Sequence, residues 1–267
     1  MDWVPAIVDT SAPSGARTYD YLLGGSHNFA ADRAMADQVE RAVPGIRAAA
    51  RLNRAFLARA VRFMIGQGVR QFLDIGSGIP TVGNVHEIAH QVDPSCRVVY
   101  VDRDPIAVAH SELMLADAEH AAVVEADMRD PSSVVDDPVT RRLLDFDEPV
   151  GLLFLLVLHW VADEDDPAAL VARYREVLAP GSCLAITHMT DDMQAHKIDA
   201  VAGIVRENRG AGQVFPRARA EIATLFGDLE LLQPGLVPTG TWRPGGVGDI
   251  ADDPEMNELS FAGVARK

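Results

Sequence analysis

Cysteine is almost absent from this 267-residue chain, which has only Cys96 and Cys183, each within or beside an apolar run. That excludes a disulfide framework or a cysteine-built zinc site, and both thiols are expected to be reduced and buried. Long hydrophobic runs are missing too. The longest, Val150 to Leu158, falls well short of the roughly 20 apolar residues a membrane-spanning helix needs. No basic segment followed by an apolar one opens the chain, so a cytoplasmic location is expected. Basic residues are few, 24 Lys and Arg against 39 Asp and Glu, giving a net charge of −15. Such a field repels phosphate backbones and anionic lipid, which argues against nucleic-acid and membrane partners. Acidic stretches such as Ala162-Asp163-Glu164-Asp165-Asp166 are expected to be solvated.

What remains is an ordinary globular composition, 48% hydrophobic and 24% charged, on a chain long enough for one large α/β domain. Residues 1–68 read as helical. Ser14 can cap a short helix through Leu23, Gly24-Gly25 stop it, Phe29 to Val43 form a second helix, and Ile46 to Ile65 a third that Gly66 and Gly68 end. From Arg70 the pattern changes to short apolar runs separated by helical stretches. Gln71–Ile75, Arg97–Val101, Ala121–Glu125, Val150–Leu158 and Ser182–Thr187 read as parallel strands covered on both faces. Helical sequence over about 190–227 then precedes Leu229–Val237 and Phe261–Ala265, which suggest a closing antiparallel pair.

The first strand ends in Asp74-Ile75-Gly76-Ser77-Gly78-Ile79-Pro80. A glycine turn at the carboxyl end of a strand is where open α/β sheets bind ligands. Two departures from a dinucleotide fingerprint carry chemical meaning. Thr81 stands where the third glycine would be, and Asp74 puts a carboxylate where a pyrophosphate would be repelled but a cationic amino group or sulfonium would be favoured. Asn84 and Glu87 form a capping box that starts the next helix near Val85. The second strand delivers Asp102 to ribose hydroxyls, a feature shared with nicotinamide binders, and the third delivers Asp127 and Met128 to an adenine edge. Arg103 can flank the adenine or meet a 2′-phosphate, but the carboxylate of Asp102 beside it disfavours the phosphate.

These motifs resemble the class I S-adenosylmethionine-dependent methyltransferases over roughly residues 70–267. More narrowly, the stretch Ala16-Arg17-Thr18-Tyr19-Asp20-Tyr21-Leu22-Leu23-Gly24-Gly25, with Asn28 to Arg33, Leu52 to Leu57, Asn84 to Glu87 and Leu178 to Ser182, resembles a bacterial family called S-adenosyl methyltransferase, once catalogued as a domain of unknown function. The resemblance implies a Rossmann-like αβα sandwich on a seven-stranded, mostly parallel sheet with an antiparallel last strand, plus a helical cap. It implies S-adenosylmethionine as cofactor, with Gly76, Ser77 and Gly78 admitting the ligand to the backbone, Asp74 facing its amino group, Asp102 its ribose, and Asp127 and Met128 its adenine.

Residues 1–68 are then a cap within the same domain, and 69–267 the methyltransferase domain. Tyr19, Tyr21, His27 and Asn28 are candidates for a lid, and Arg17 and Arg54 for the methionine carboxylate. His159, ending the fourth strand, is the candidate for orienting a small-molecule acceptor or taking its proton, with Trp160 as a wall; packing against backbone is its alternative. Met189, Met193, His196 and Phe215 are candidate acceptor contacts. Three rival functions stay open: cofactor binding without catalysis, a nicotinamide-dependent oxidoreductase, and aminopropyl transfer from the decarboxylated cofactor.

Overall fold

The structure, a computed structural model, describes residues 9–80, 83–208, 210–245 and 254–267; Thr81 lies outside them. Helices α1 (Gly15–Leu22), α2 (Ala30–Ala42) and α3 (Ile46–Gly66) precede the sheet. Strands β1 (Gln71–Ile75), β2 (Arg97–Asp102), β3 (Ala121–Glu125), β4 (Val150–Leu155) and β5 (Cys183–Met189) then run parallel. Their crossovers carry α4 (Val85–Val92), α5 (Pro105–Met114), α6 (Pro131–Val135), α7 (Pro138–Leu143) and α8 (Pro167–Glu176). After β5 come α9 (Ala195–Glu207), α10 (Arg219–Thr224), β6 (Glu230–Leu231), β7 (Val237–Pro238), α11 (Pro254–Asn257) and β8 (Ser260–Arg266). No described helix is long and apolar enough to cross a membrane.

The sheet runs in the order β3-β2-β1-β4-β5-β8-β6, and β7 also pairs with β8. Strand β8 lies antiparallel to β5 over seven residue pairs. The expected seven strands are therefore eight, because the run Leu229–Val237 is split. Pro234 has no N–H for a ladder and Gly235 turns the chain at φ 90°, so β6 and β7 pair separately with β8. The fourth strand is also shorter than its apolar run. It stops at Leu155 because Leu156 adopts a left-handed φ of 51° while its N–H donates to Thr187, and Leu158–Trp160 then form a 3-10 turn.

Continuous apolar strands follow from burial on both faces. Phe72, Val98, Leu153 and Ala185 pack beneath α3 and α4, whereas their neighbours Leu73, Val99, Leu152 and Leu184 pack against α6, α7 and α8. Chain alternation sends successive side chains to opposite layers, and both layers are dry. Nothing is left for a polar face, so polar residues collect where strands end.

A buried hydrogen-bonded chain joins those strand ends to the N-terminal helices. The Thr187 hydroxyl donates to Asn53 Oδ1 at 2.7 Å, Asn53 Nδ2 donates to the Tyr19 hydroxyl at 3.0 Å, and that hydroxyl donates to the Ala50 carbonyl at 3.1 Å. Helix α1 is further latched to the turn before α5. The Ser14 N–H donates to Asp32, the Ser14 hydroxyl donates to Asp104, and Arg17 lies 3.4 Å from Asp32 and 3.7 Å from Asp104. Ser14 thus precedes α1 as expected, but its side chain reaches across the fold and makes no capping bond.

Replacing Asn53 with Leu leaves the buried Thr187 hydroxyl proton without its acceptor and removes the donor to the Tyr19 hydroxyl. The variant is expected to lose about 2–3 kcal/mol of stability by denaturant unfolding, with faster amide exchange in α1 than in the central strands.

Candidate functional site

The glycine turn after β1 is bonded to the end of β2. Gly76 and Ser77 donate their N–H groups to the Val101 carbonyl at 2.8 and 3.0 Å, and Gly78 N–H donates to Asp102 Oδ2 at 2.7 Å. The other Asp102 oxygen accepts from Asp104 N–H at 2.8 Å. Gly76 must be glycine here, since its φ is +67° and an added Cβ would stand 2.2 Å from Val157. Asn84 leads α4 as expected, its N–H donating to Glu87 at 2.8 Å.

Above this turn is a cavity of about 580 Å³, within the range of small-molecule sites. Asp74, Gly76, Ser77, Gly78, Asp102, Arg103, Asp127, Met128, Arg54 and His159 all line it. Arg17, Tyr19 and Trp160 do so as well. The adjacency β3-β2-β1 explains the convergence, because the three parallel strands bring Asp127, Asp102 and Asp74 to one edge.

Two sequence candidates lie elsewhere. Tyr21 is outside the lining and carries the Arg47 guanidinium over its ring at 4.8 Å. Asn28 is outside it too, buried with Nδ2 donating to Asp20 at 2.8 Å and to the Gly25 carbonyl at 3.0 Å. Both order the turn between α1 and α2, a local demand that imitates a ligand contact in sequence. His27 lies against His110, ring centres 3.9 Å apart and planes tilted by 50°. Of the expected acceptor contacts only Met189 lines the cavity, while Met193 and His196 are exposed.

The three carboxylates have different electrostatics. Asp74 is buried, and loss of hydration pushes its pKa up to about 7 despite the nearby Arg54 cation. Asp102 is raised by burial too, opposed by the backbone N–H groups it accepts from. Asp127 goes the other way, down to about 2, because Arg129 donates to both its oxygens, Nε lying 3.0 and 3.1 Å away. Arg103 adds a looser contact at 3.5 Å from a largely exposed side chain.

Several cavity-lining side chains hold buried polar atoms with no hydrogen-bond partner: Arg17 Nη1, Arg54 Nε, Ser77 Oγ and His159 Nδ1. Buried donors and acceptors are rarely left unpaired. The two guanidinium groups are otherwise engaged, Arg17 with Asp32 and Arg54 Nη2 with the Gly83 carbonyl at 2.7 Å, and each keeps a spare donor at the cavity.

His159 lies in the turn after β4, with its ring 5.3 Å from Trp160 and 6.0 Å from His188. Burial holds its pKa well below the ordinary histidine value, so the imidazole is neutral. That turn is fixed by Arg217, which the sequence reading missed. The buried guanidinium donates to the carbonyls of Leu158 at 3.1 Å and Val161 at 2.7 Å, to His188 Nε2 at 3.0 Å and to Asp163. No local pattern announces such a contact across more than fifty residues. Arg129 was missed too, although its position two residues past Asp127 was a usable signal.

The profile of the family called S-adenosyl methyltransferase matches residues 1–267. The chain belongs to that family. It is an S-adenosylmethionine-dependent methyltransferase. A structure from Thermobifida fusca YX, provisionally named a methyltransferase, is 42% identical, with 100% of this chain and 99% of that chain covered and a TM-score of 0.92. A DUF574 family protein from Streptomyces avermitilis MA-4680 is 38% identical, with 97% and 99% covered and the same TM-score of 0.92. No curated protein matches the chain.

The Asp127–Arg129 fork is directly measurable. Carboxylate titration by NMR is expected to place Asp127 at about 2, and Arg129→Ala should return it toward the ordinary 3.8. An unchanged low value in the variant would show that another donor holds the carboxylate.

Proposed function

We propose that this methyltransferase binds its cofactor in the cavity over the glycine turn and methylates a small molecule delivered to the His159–Trp160 side. The observation that carries this reading is the convergence of Asp74, Asp102, Asp127 and the Gly76–Gly78 turn on one cavity that His159 and Trp160 also line. The net charge of −15 favours a small-molecule acceptor over nucleic acid.

S-adenosylmethionine supplies a methyl carbon on positively charged sulfur. Asp74 takes the ammonium group of its methionine part, and Arg54 with the free Nη1 of Arg17 takes the carboxylate. Asp102 accepts from the ribose hydroxyls through lone pairs its two amide bonds leave unused. Asp127 accepts from the adenine amino group and the Met128 backbone borders the ring, with Arg103 and Arg129 beside them. An acid beside arginines suits a zwitterion, whereas the Asp74 carboxylate opposes a dinucleotide pyrophosphate, which disfavours the oxidoreductase alternative. His159, neutral and held by the Arg217 clamp, orients the acceptor and takes its proton. The N-terminal helices form the lid of the same domain, and α1 closes the cavity through Tyr19 and Arg17.

In-line methyl transfer to a heteroatom needs alignment and exclusion of water more than a covalent intermediate. The groups required are therefore few.

Two variants test the cofactor site. Asp102→Ala should weaken binding of S-adenosylhomocysteine in calorimetry by about 1–3 kcal/mol, the worth of the lost ribose hydrogen bonds; wild-type affinity would remove Asp102 from the site. Asp74 makes a sharper test because function and stability oppose each other there. Its folded pKa of about 7 exceeds the ordinary 3.8, so the folded state keeps a proton that the unfolded chain has lost. Stability then falls as pH rises from about 4 to 7, and Asp74→Asn should be about 1–3 kcal/mol more stable than wild type at pH 8. The same variant should bind the homocysteine product at least about tenfold more weakly. A variant that is both less stable and normal in binding would contradict this reading.

A further inference from the structure

The cavity has a second end whose chemistry differs from the first. Its charged lining residues come from the N-terminal segment, α3 and the ends of β1, β2 and β3. By contrast, every residue that α2, α9 and the segment 210–214 contribute to the lining is uncharged and apolar. Met35 and Val39 of α2 face Ile198, Val201 and Val205 of α9, with Val214 beside them in one packed cluster. The polar side chain nearby, Ser260, shares its hydroxyl with Thr239 at 2.7 Å.

Trp160 marks the junction between the two ends. It packs against the apolar cluster, its ring adjoins His159, and a Cβ built on Gly15 would stand 2.7 Å from that ring. Helix α1 therefore sits directly on the indole, and a molecule lying in the apolar chamber meets Trp160 on its way to His159.

We propose that this chamber is the acceptor subsite and that the acceptor is an uncharged, largely hydrocarbon or aromatic molecule bearing one hydroxyl or N–H group at the end that reaches His159. The proposal rests on the cofactor reading above. A carboxylate or ammonium on the body of the acceptor would lose its hydration among the side chains of α2, α9 and 210–214, none of which carries a charge to replace it, and such burial is costly. The apolar body gains from burial, and the single heteroatom is the group that must meet the methyl carbon. Its lone pair forms the new bond while the carbon–sulfur bond breaks and leaves its electron pair on sulfur. The heteroatom's proton passes to the His159 imidazole and then to water, leaving S-adenosylhomocysteine and the methylated acceptor.

The test is a fluorescence titration with 1-naphthol, with and without saturating S-adenosylhomocysteine, set against its anionic relative 1-hydroxy-2-naphthoate and the cationic 1-naphthylmethylamine. Naphthol is expected to bind at least about tenfold more tightly than either charged relative. Val205→Phe fills the chamber from α9, and Ala49→Leu fills it from α3, so a folding defect in one variant leaves the other to decide. Each should weaken naphthol at least about tenfold while affinity for S-adenosylhomocysteine stays within about twofold. Equal binding of a charged relative, or naphthol affinity untouched by both filling variants, overturns the assignment of the chamber. Failure of S-adenosylhomocysteine to bind wild-type protein that still takes up naphthol overturns the cofactor reading, and the acceptor role with it.

Discussion

Three carboxylates, Asp74, Asp102 and Asp127, end adjacent parallel strands and line one cavity, where charge of one sign is costly to gather out of water. Each is accommodated by a different means. Asp127 is neutralised by the Arg129 fork. Asp102 is solvated by the amides of Gly78 and Asp104, so the glycine turn and the acid are one hydrogen-bonded unit. Asp74 has no hydrogen bond to its carboxylate among the described residues, and burial, with a smaller push from Asp102, raises its pKa to about 7. Such an acid is a standing cost to the fold, and in the proposed reading a cationic ligand removes it.

The same arrangement explains why so much of the chain lies before the first strand. Helix α1 reaches the site through α3 and the turn before α5: Thr187, Asn53 and Tyr19 link it to β5, and Ser14 with Arg17 links it to Asp32 and Asp104. Arg17, Asp32, Asn53 and Thr187 are buried and the others partly so, and partial opening leaves several polar atoms unsatisfied together. Hydrogen bonds and ion pairs therefore tie α1 to both α3 and the sheet.

Legibility in the sequence followed the range of each interaction. Strands β1, β2 and β3 were readable to within a residue because each is a short apolar run, and Asp74, Asp102 and Asp127 stood out as acids at or just past the ends of those runs. The fourth strand was overextended, since nothing in Val150–Leu158 announces that Leu156 turns left-handed. Tyr21 and Asn28 stand outside the cavity lining because local structure uses them, Asn28 in a turn built on Asp20 and Tyr21 beneath Arg47. Arg217 was invisible: its partners, Leu158, Val161, Asp163 and His188, come from a distant loop and the end of β5.

The distribution of positive charge around His159 has its own logic. His159 and His188 are both held neutral by burial, and the guanidinium of Arg217 is turned toward Asp163 and two backbone carbonyls, outside the cavity lining. The side of the cavity assigned to the reacting carbon therefore brings no cation of its own, while Asp74 brings a potential anion from the neighbouring strand. A sulfonium entering this space meets attraction at one end and neutrality at the other. As the acceptor attacks, the positive charge leaves sulfur and passes to the acceptor's departing proton. A neutral imidazole can receive that proton, whereas a protonated histidine at the same position would oppose both the binding of the sulfonium and the transfer. Burial of His159 thus serves the chemistry through the charge it prevents.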